Sequence, residues 1–321
     1  METAEQGAAS RLKTPPKAPS GATLNWTLLF ILVLIWGSTF AGIRIAVETI
    51  SPVWVVAGRL TSATIFLTAM LLIQRGLDRR PRADAREKVT AAHIYIFAII
   101  GVCFTAIPFI LYAMAAKTTG SAVMAICNGA TPSVTAIAAH IALKDRLTPR
   151  RAIGVAMGFL GLAVLVWPEA QKGFEGSSLF GIILAIVGAA LYAGGNIGTR
   201  MAPKLSPVYS SLLLIGSGAI AALIAAALLE PFPETAGAKS ITAVILLGLL
   251  PTAFAMALYV WLIQRSGAVF VSFTTYLSPL WATFLGVTFL SEPLHWSMIG
   301  ALALILAGVA VANVRPRQRP A

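Results

Sequence analysis

The chain has 321 residues, 58% hydrophobic and 11% charged, and carries a formal net charge of +12 at neutral pH. Its apolar residues gather in blocks of about 20, the length a helix needs to cross a bilayer, so the sequence reads as an all-α integral membrane protein and not a soluble domain. The basic excess sits in connectors between the blocks instead of forming a surface for nucleic acid, and Cys103 and Cys127 both fall inside blocks, where thiols pack as small hydrophobes; no disulfide framework exists.

Residues 1–25, rich in Ala, Pro, Ser and Lys, lack the short apolar core and cleavage site of a secretory signal and read as a disordered cytoplasmic tail. Ten transmembrane helices are expected after it, at 26–46, 52–73, 92–115, 119–143, 149–167, 179–199, 206–229, 241–263, 267–290 and 295–314, followed by a short tail at 315–321. The connectors on the side of the N terminus hold Arg75, Arg79, Arg80, Arg82, Arg86 and Lys88, then Lys144, Arg146, Arg150 and Arg151. The opposite connectors offer little beyond Arg44, Lys117, Lys172 and Lys239, so the positive-inside rule puts both termini in the cytoplasm. An even number of spans agrees with that.

The first span carries Trp36-Gly37-Ser38-Thr39-Phe40 and closes with Arg44 and Glu48. The second opens with Ser51-Pro52, proline suiting the first turn of a helix. Arg59 follows seven residues on, about 10 Å into the bilayer at 1.5 Å per residue. A cation at that depth either faces a cavity, where it can meet a substrate carboxylate with Glu48 as a structural partner, or snorkels to the near interface. The third span places Thr105, Pro108 and Tyr112 on one face, and the eighth repeats Thr252 and Tyr259 there. Trp36, Tyr112, Tyr192 and Tyr259, rings with polar tips, can line a pore or form an interfacial belt.

The fourth span lines up Asn128, Thr131 and Thr135 at helical spacing, the ninth answers with Thr275 and Ser278, and the sixth carries Tyr192 and Asn196. Such stripes either bond neighbouring helices or face a cavity. Pro132 and Pro279 sit in the middle of two of them, each freeing a backbone carbonyl at midplane depth or simply kinking the helix. Asp145 precedes Thr148-Pro149, and Glu292 precedes Pro293; each acid is placed to favour the positive end of the following helix or to act as a gate on its own side of the membrane. Gly154 with Gly158, and Gly194 with Gly198, let helices approach closely, within one chain or across a homodimer.

The chain also repeats itself. At an offset of 147 residues Gly120, Pro132, Asp145 and Leu147 fall on Gly267, Pro279, Glu292 and Leu294, and Ser51-Pro52-Val53 recurs as Ser206-Pro207-Val208. Two copies of five spans, at 26–167 and 179–314, enter the membrane from opposite sides because five is odd. Inverted repeats of this kind put a substrate site near the midplane between the halves.

The Trp36–Phe40 run, the Ser51-Pro52 start with Arg59, and the Gly120–Pro132–Asp145 block with its copy ending in Ser291-Glu292-Pro293-Leu294 resemble the EamA family of the drug/metabolite transporter superfamily. The resemblance spans residues 26–314 and implies a ten-helix exporter of small metabolites, often amino acids; Asp145 stands where the family usually has Glu. The expectation is therefore a plasma-membrane (bacterial inner-membrane) carrier of a small-molecule solute, working by alternating access. The solute contacts expected are Asn128, Thr131, Asn196, Thr275, Ser278, Tyr112, Tyr259, Tyr192, Trp36 and Arg59, with Pro132, Pro279, Asp145 and Glu292 as gating or kink positions. A carrier of organic anions or nucleotide-linked sugars is the alternative within transport. Deep carboxylates are missing, which disfavours proton-coupled export of cationic drugs. No nucleophile with a base, metal cluster, cofactor motif or phosphate loop appears at recognisable spacing, which leaves a membrane-embedded enzyme or a non-transporting scaffold as the weaker readings.

Overall fold

The computed structural model describes residues 22–77, 89–145, 147–171, 177–203, 205 and 207–313. The expected disordered tail up to residue 21, most of the connector 74–90 and the tail 315–321 lie outside the described residues. The described chain is helical throughout: α1 (Ala22–Gly37) and α2 (Thr39–Ala46), α3 (Pro52–Leu77), α4 (Ala91–Gly101) and α5 (Ile107–Ala115), α6 (Ser121–Gly129) and α7 (Thr131–Leu143), α8 (Pro149–Gln171), α9 (Ser177–Met201), α10 (Pro207–Leu229), α11 (Ala238–Leu247) and α12 (Ala255–Ser266), α13 (Ala268–Val271) and α14 (Phe273–Phe289), and α15 (Trp296–Asn313). Pro52, Pro149 and Pro207 each open a helix, where the amide they lack would have been unpaired anyway.

Among the described residues eight continuous segments are long and apolar enough to cross a membrane, α1 with α2, α4 with α5, α6 with α7 and α11 with α12 each counting as one. The expected spans 267–290 and 295–314 come out shorter. The first is interrupted at Ser272, leaving the 17 residues of α14 as its longest helix, and the apolar part of α15 is Trp296–Ala312. Two helices change pitch midway: π-helical segments at Val102–Ala106 and Gly248–Phe254 join α4 to α5 and α11 to α12. Pro108 follows the first and Pro251 lies in the second, and the wider turn absorbs a residue that cannot donate an amide bond.

Small residues set the tightest helix crossings. A methyl group on Gly308 would sit 2.6 Å from the Gly154 carbonyl oxygen, and one on Gly161 would sit 2.9 Å from that of Ala301, so α8 and α15 run antiparallel with their backbones nearly touching. The pair α3 and α10 is antiparallel too, Gly218 facing Leu60 and Gly216 facing Thr64. The remaining helices form two walls. One is built of α4, α5, α6, α7 and α9; the other of α1, α2, α11, α12 and α14. The walls meet at one end, where α6 packs on α2 and α14. Beyond the break at Ala130 they diverge, and α7 packs instead on α9 and α8.

The turns after α7 and α14 are built alike. Lys144 and Ser291 both adopt left-handed φ, 54° and 53°. In each case the next residue's amide closes back on the preceding helix, Asp145 N to Ala139 O at 3.3 Å and Glu292 N to Gly286 O at 3.0 Å. The backbones of the two acids therefore match, which makes the difference between their side chains informative.

Candidate functional site

Arg59 is only 5% exposed. Its Nε donates to Thr252 Oγ1 at 2.9 Å, and its guanidinium carbon lies 3.9 Å from the centre of the Phe109 ring. The snorkelling alternative does not hold, since the side chain is buried between Phe109 and the π-helical segment Gly248–Phe254. Thr252 in turn donates to Leu247 O at 2.8 Å, which fixes its proton away from the arginine. The expected partner Glu48 is elsewhere, paired with Lys239 at 3.4 Å. No carboxylate among the described residues forms an ion pair with Arg59. Removing an ion from water costs several kcal/mol. A cation–π contact returns about 2 kcal/mol at best, and a hydrogen bond to a charged group about 1.5–3 kcal/mol. The protein's own contacts thus leave the guanidinium incompletely compensated.

From Arg59 a run of aromatic and polar groups crosses the first wall. Phe109 packs edge-on against Tyr192 at 5.9 Å, and Tyr192 stacks on Tyr112 at 5.5 Å. The Tyr112 hydroxyl donates to Asn128 Oδ1 at 3.3 Å, which also accepts from Thr131 Oγ1 at 3.4 Å. The fold thus brings together Arg59, Tyr112, Tyr192, Asn128 and Thr131 from four separate spans. In the facing wall Trp36 packs against Tyr259 at 5.1 Å and donates to Pro251 O at 3.2 Å. Thr252 ties the walls together through Arg59.

The other expected contacts stand apart. Asn196 is exposed and donates to Thr135 Oγ1 at 3.3 Å, nearer the open end. Thr275 makes no side-chain hydrogen bond among the described residues, and the buried Ser278 hydroxyl has no partner there. Pro132 lies just after the break between α6 and α7, whereas Pro279 sits inside the continuous α14, so the two prolines do not shape their helices alike. A hollow of about 100 Å³ beside Pro132, lined by Ser133, Ala136, Arg151, Val155 and Val309, touches none of the other candidates. Phe109 and Thr252 join the site without having been singled out for it, Phe109 because nothing in an apolar run marks one ring from its neighbours. Among the described residues no group of three or more His, Cys, Asp or Glu converges as metal ligands would.

The end where the walls meet is bound by polar contacts. Glu292 accepts from the amides of Ser121 at 2.7 Å and Ala122 at 3.1 Å, so it holds the start of α6 and not, as its sequence neighbour Pro293 suggests, that of α15. The reason is helix placement: α14 packs against α6, which brings the first amides of α6 within reach of the carboxylate. Arg44 donates to Ala116 O at 2.7 Å and Thr119 O at 3.2 Å, at the end of α5. Glu230 accepts from Val53 N at 3.1 Å, and Ser240 donates to Ile45 O at 2.9 Å. Asp145, in the matching turn at the opposite end, crosses to nothing: it pairs with Arg151 of its own neighbourhood at 3.2 Å, and Thr148 receives the Arg151 amide at the start of α8.

Comparisons with known proteins address the chain as a whole. Residues 24–167 and 179–314 each match the profile described as the EamA-like transporter family. The chain is 27% identical over 305 residues to the uncharacterized inner membrane transporter YedA of Escherichia coli K12, covering 91% of this chain and 94% of the relative. It is 24% identical over 294 residues to an S-adenosylmethionine/S-adenosylhomocysteine transporter of Chlamydia muridarum, covering 88% and 89%. A solved crystal structure shares the fold with a TM-score of 0.60 at 19% identity, over 92% of this chain and 99% of the other.

Proposed function

The chain belongs to the EamA-like transporter family, and from that premise we propose that it is a secondary carrier that exports small polar metabolites such as amino acids by alternating access. It spans the plasma membrane ten times, as two inverted five-helix repeats with both termini in the cytoplasm. The antiparallel crossings of α8 with α15 and of α3 with α10, which pair equivalent spans of the two copies, support that arrangement. So do the π-helical segments in equivalent spans of the two copies.

One observation carries the reading: Glu292 and Asp145 end identical turns, yet only Glu292 reaches the other wall. The end it closes is the outer one under the positive-inside orientation, so the site of Arg59, Asn128, Tyr112, Tyr192, Trp36 and Tyr259 opens to the cytoplasm. Asn196, Thr131 and Thr275 line the way in, and the buried Ser278 hydroxyl becomes reachable only if α14 moves. The opposite state closes the inner end with equivalent parts. At the 147-residue offset Ala116 and Thr119 correspond to Ile263 and Ser266, and in the alignment of the first span on the sixth, which puts Trp36 opposite Tyr192, Arg44 corresponds to Arg200, which is exposed. Arg200 then takes the carbonyls at the end of α12, and Asp145 the first amides after Gly267. Pro132 and Pro279 lie where each helix must bend between the two states.

Two substrate readings share this mechanism. The relative named for S-adenosylmethionine makes a nucleoside-linked amino acid a second candidate, and the uncompensated Arg59 favours an organic anion as the alternative to a free amino acid. Purified full-length protein in proteoliposomes, offered a panel of radiolabelled amino acids with and without a pH gradient, tests the proposal. Flux of at least one, independent of the gradient, is the expected result. Movement of none by correctly folded protein rejects amino-acid transport.

A further inference from the structure

Every acidic side chain described outside the termini is occupied away from Arg59 or lies in water. Glu48 pairs with Lys239, Asp145 with Arg151, and Glu169 accepts from Ser178. Glu230 holds the start of α3, Glu292 holds the start of α6, and Glu234 is exposed. Arg59 is nevertheless buried, the residue being only 5% exposed. Its geometry is specific. Nε is used by Thr252 and one face by Phe109, which leaves the in-plane edge carrying the two terminal nitrogens. That edge is the fork that matches the two oxygens of a carboxylate. The Thr252 proton is committed to Leu247, so the hydroxyl can only accept from Arg59 and keeps the fork turned the same way. Asn128 spends its carbonyl oxygen on Tyr112 and Thr131, which leaves its side-chain amide as a second donor in the same run of side chains. The neighbourhood is rich in donors, and no carboxylate of the described residues pairs with the guanidinium.

Resting on the transport reading above, we propose that Arg59 is the receptor for a carboxylate on the solute, so that the carrier selects carboxylate-bearing molecules over their amides and amines. The missing countercharge of the buried guanidinium arrives with each substrate molecule. Arg59 has no basic counterpart in the second copy, where the equivalent position after Pro207 is Leu214, so the receptor is single and the solute binds in one orientation.

Matched probes test this. Leucine, leucinamide and 3-methylbutylamine differ only at the carboxyl carbon, and phenylalanine, phenylalaninamide and phenethylamine form a second set. Binding is read as the thermal shift of purified full-length protein in detergent, and transport as flux in proteoliposomes, for the wild type, Arg59→Lys and Arg59→Gln. The expected outcome is that at least one acid binds the wild type about 30-fold or more tightly than its amide or amine, the lower end of what losing one side of a buried charge pair costs. Arg59→Gln erases that preference, and Arg59→Lys, which keeps the charge but not the fork, falls between. Equal treatment of acid and amide by the wild type, or a preference that survives in Arg59→Gln, overturns the proposal while leaving transport standing if flux is seen. Selective binding lost in Arg59→Gln, with no flux of any probe, supports the anion receptor and rejects the transport reading instead. A panel that neither binds nor moves rejects both. Where Arg59→Gln does not fold, the acid–amide comparison on the wild type and Arg59→Lys decides.

Discussion

Replacing Glu292 with Gln should unfasten the end where the two walls meet. The carboxylate makes two charge-assisted bonds to the first amides of α6, at 2.7 and 3.1 Å. Gln retains one acceptor oxygen and so forfeits one of those bonds along with the attraction of a negative charge to a helix N-terminus. A hydrogen bond to a charged group contributes about 1.5–3 kcal/mol, and the helix-end attraction about 0.3–1 kcal/mol. Because Glu292 is half-buried and partly screened, the lower ends apply. The sum is about 2 kcal/mol, which moves the ratio of fastened to unfastened states roughly 30-fold. Spin labels at Lys117→Cys and Phe289→Cys, both exposed and one on each wall, report the separation by double electron–electron resonance once Cys103 and Cys127 are replaced with Ala. The ratio of longer- to shorter-distance populations should rise by that factor in Glu292→Gln. A distance distribution unchanged from the parent, in protein shown to be folded, refutes the assignment of Glu292 to this closure.

The other predictions follow from the same geometry. Arg44→Gln loses two bonds to the carbonyls of Ala116 and Thr119, and should lengthen the same spin-label distance in the same direction. Asp145→Asn, which breaks only an exposed pair with Arg151, should leave that distance as it is yet slow flux in proteoliposomes, because it weakens the opposite state; unchanged flux removes Asp145 from the cycle. Gly154→Ala drives a methyl group into the Gly308 backbone, and should cost about 1–3 kcal/mol by overpacking, seen as a lower melting temperature in detergent; a neutral result means that α8 and α15 can part freely. Trp36→Phe gives up the bond to Pro251 O, worth about 1 kcal/mol, and should lower stability by that amount while retaining the ring contact with Tyr259.

Much of the fold was legible because long apolar blocks admit one solution in lipid and because the chain repeats. The helix starts at Pro52, Pro149 and Pro207 and the paired turns at Lys144 and Ser291 all sit at positions the sequence marks. The π-helical segments were not legible, since Pro108 and Pro251 mark an irregularity in each span without saying that the helix widens there and does not kink. Nor was the partner of Glu292, which lies 171 residues away at Ser121 and is set by how the walls are placed, not by the local sequence. The site shows the same division. Arg59 and Asn128 announce themselves as polar residues at depth, and Thr252 shares a marked face with Tyr259, but that Thr252 and Phe109 are the mates of Arg59 shows only once the chain is folded. Asn196 shows the converse: polar and deep in the sequence, it is exposed near the open end.

The matched left-handed turns have a further meaning for energetics. Each acid is carried as a stiff extension of the helix before it, held by the amide that closes back on Ala139 or Gly286, so neither connector has to refold when the protein cycles. Under the alternating access proposed above, what is exchanged is hydration: the glutamate sheds water as the aspartate regains it, and the return reverses the order. In that proposed cycle the two desolvation costs oppose each other, which levels the path between the states.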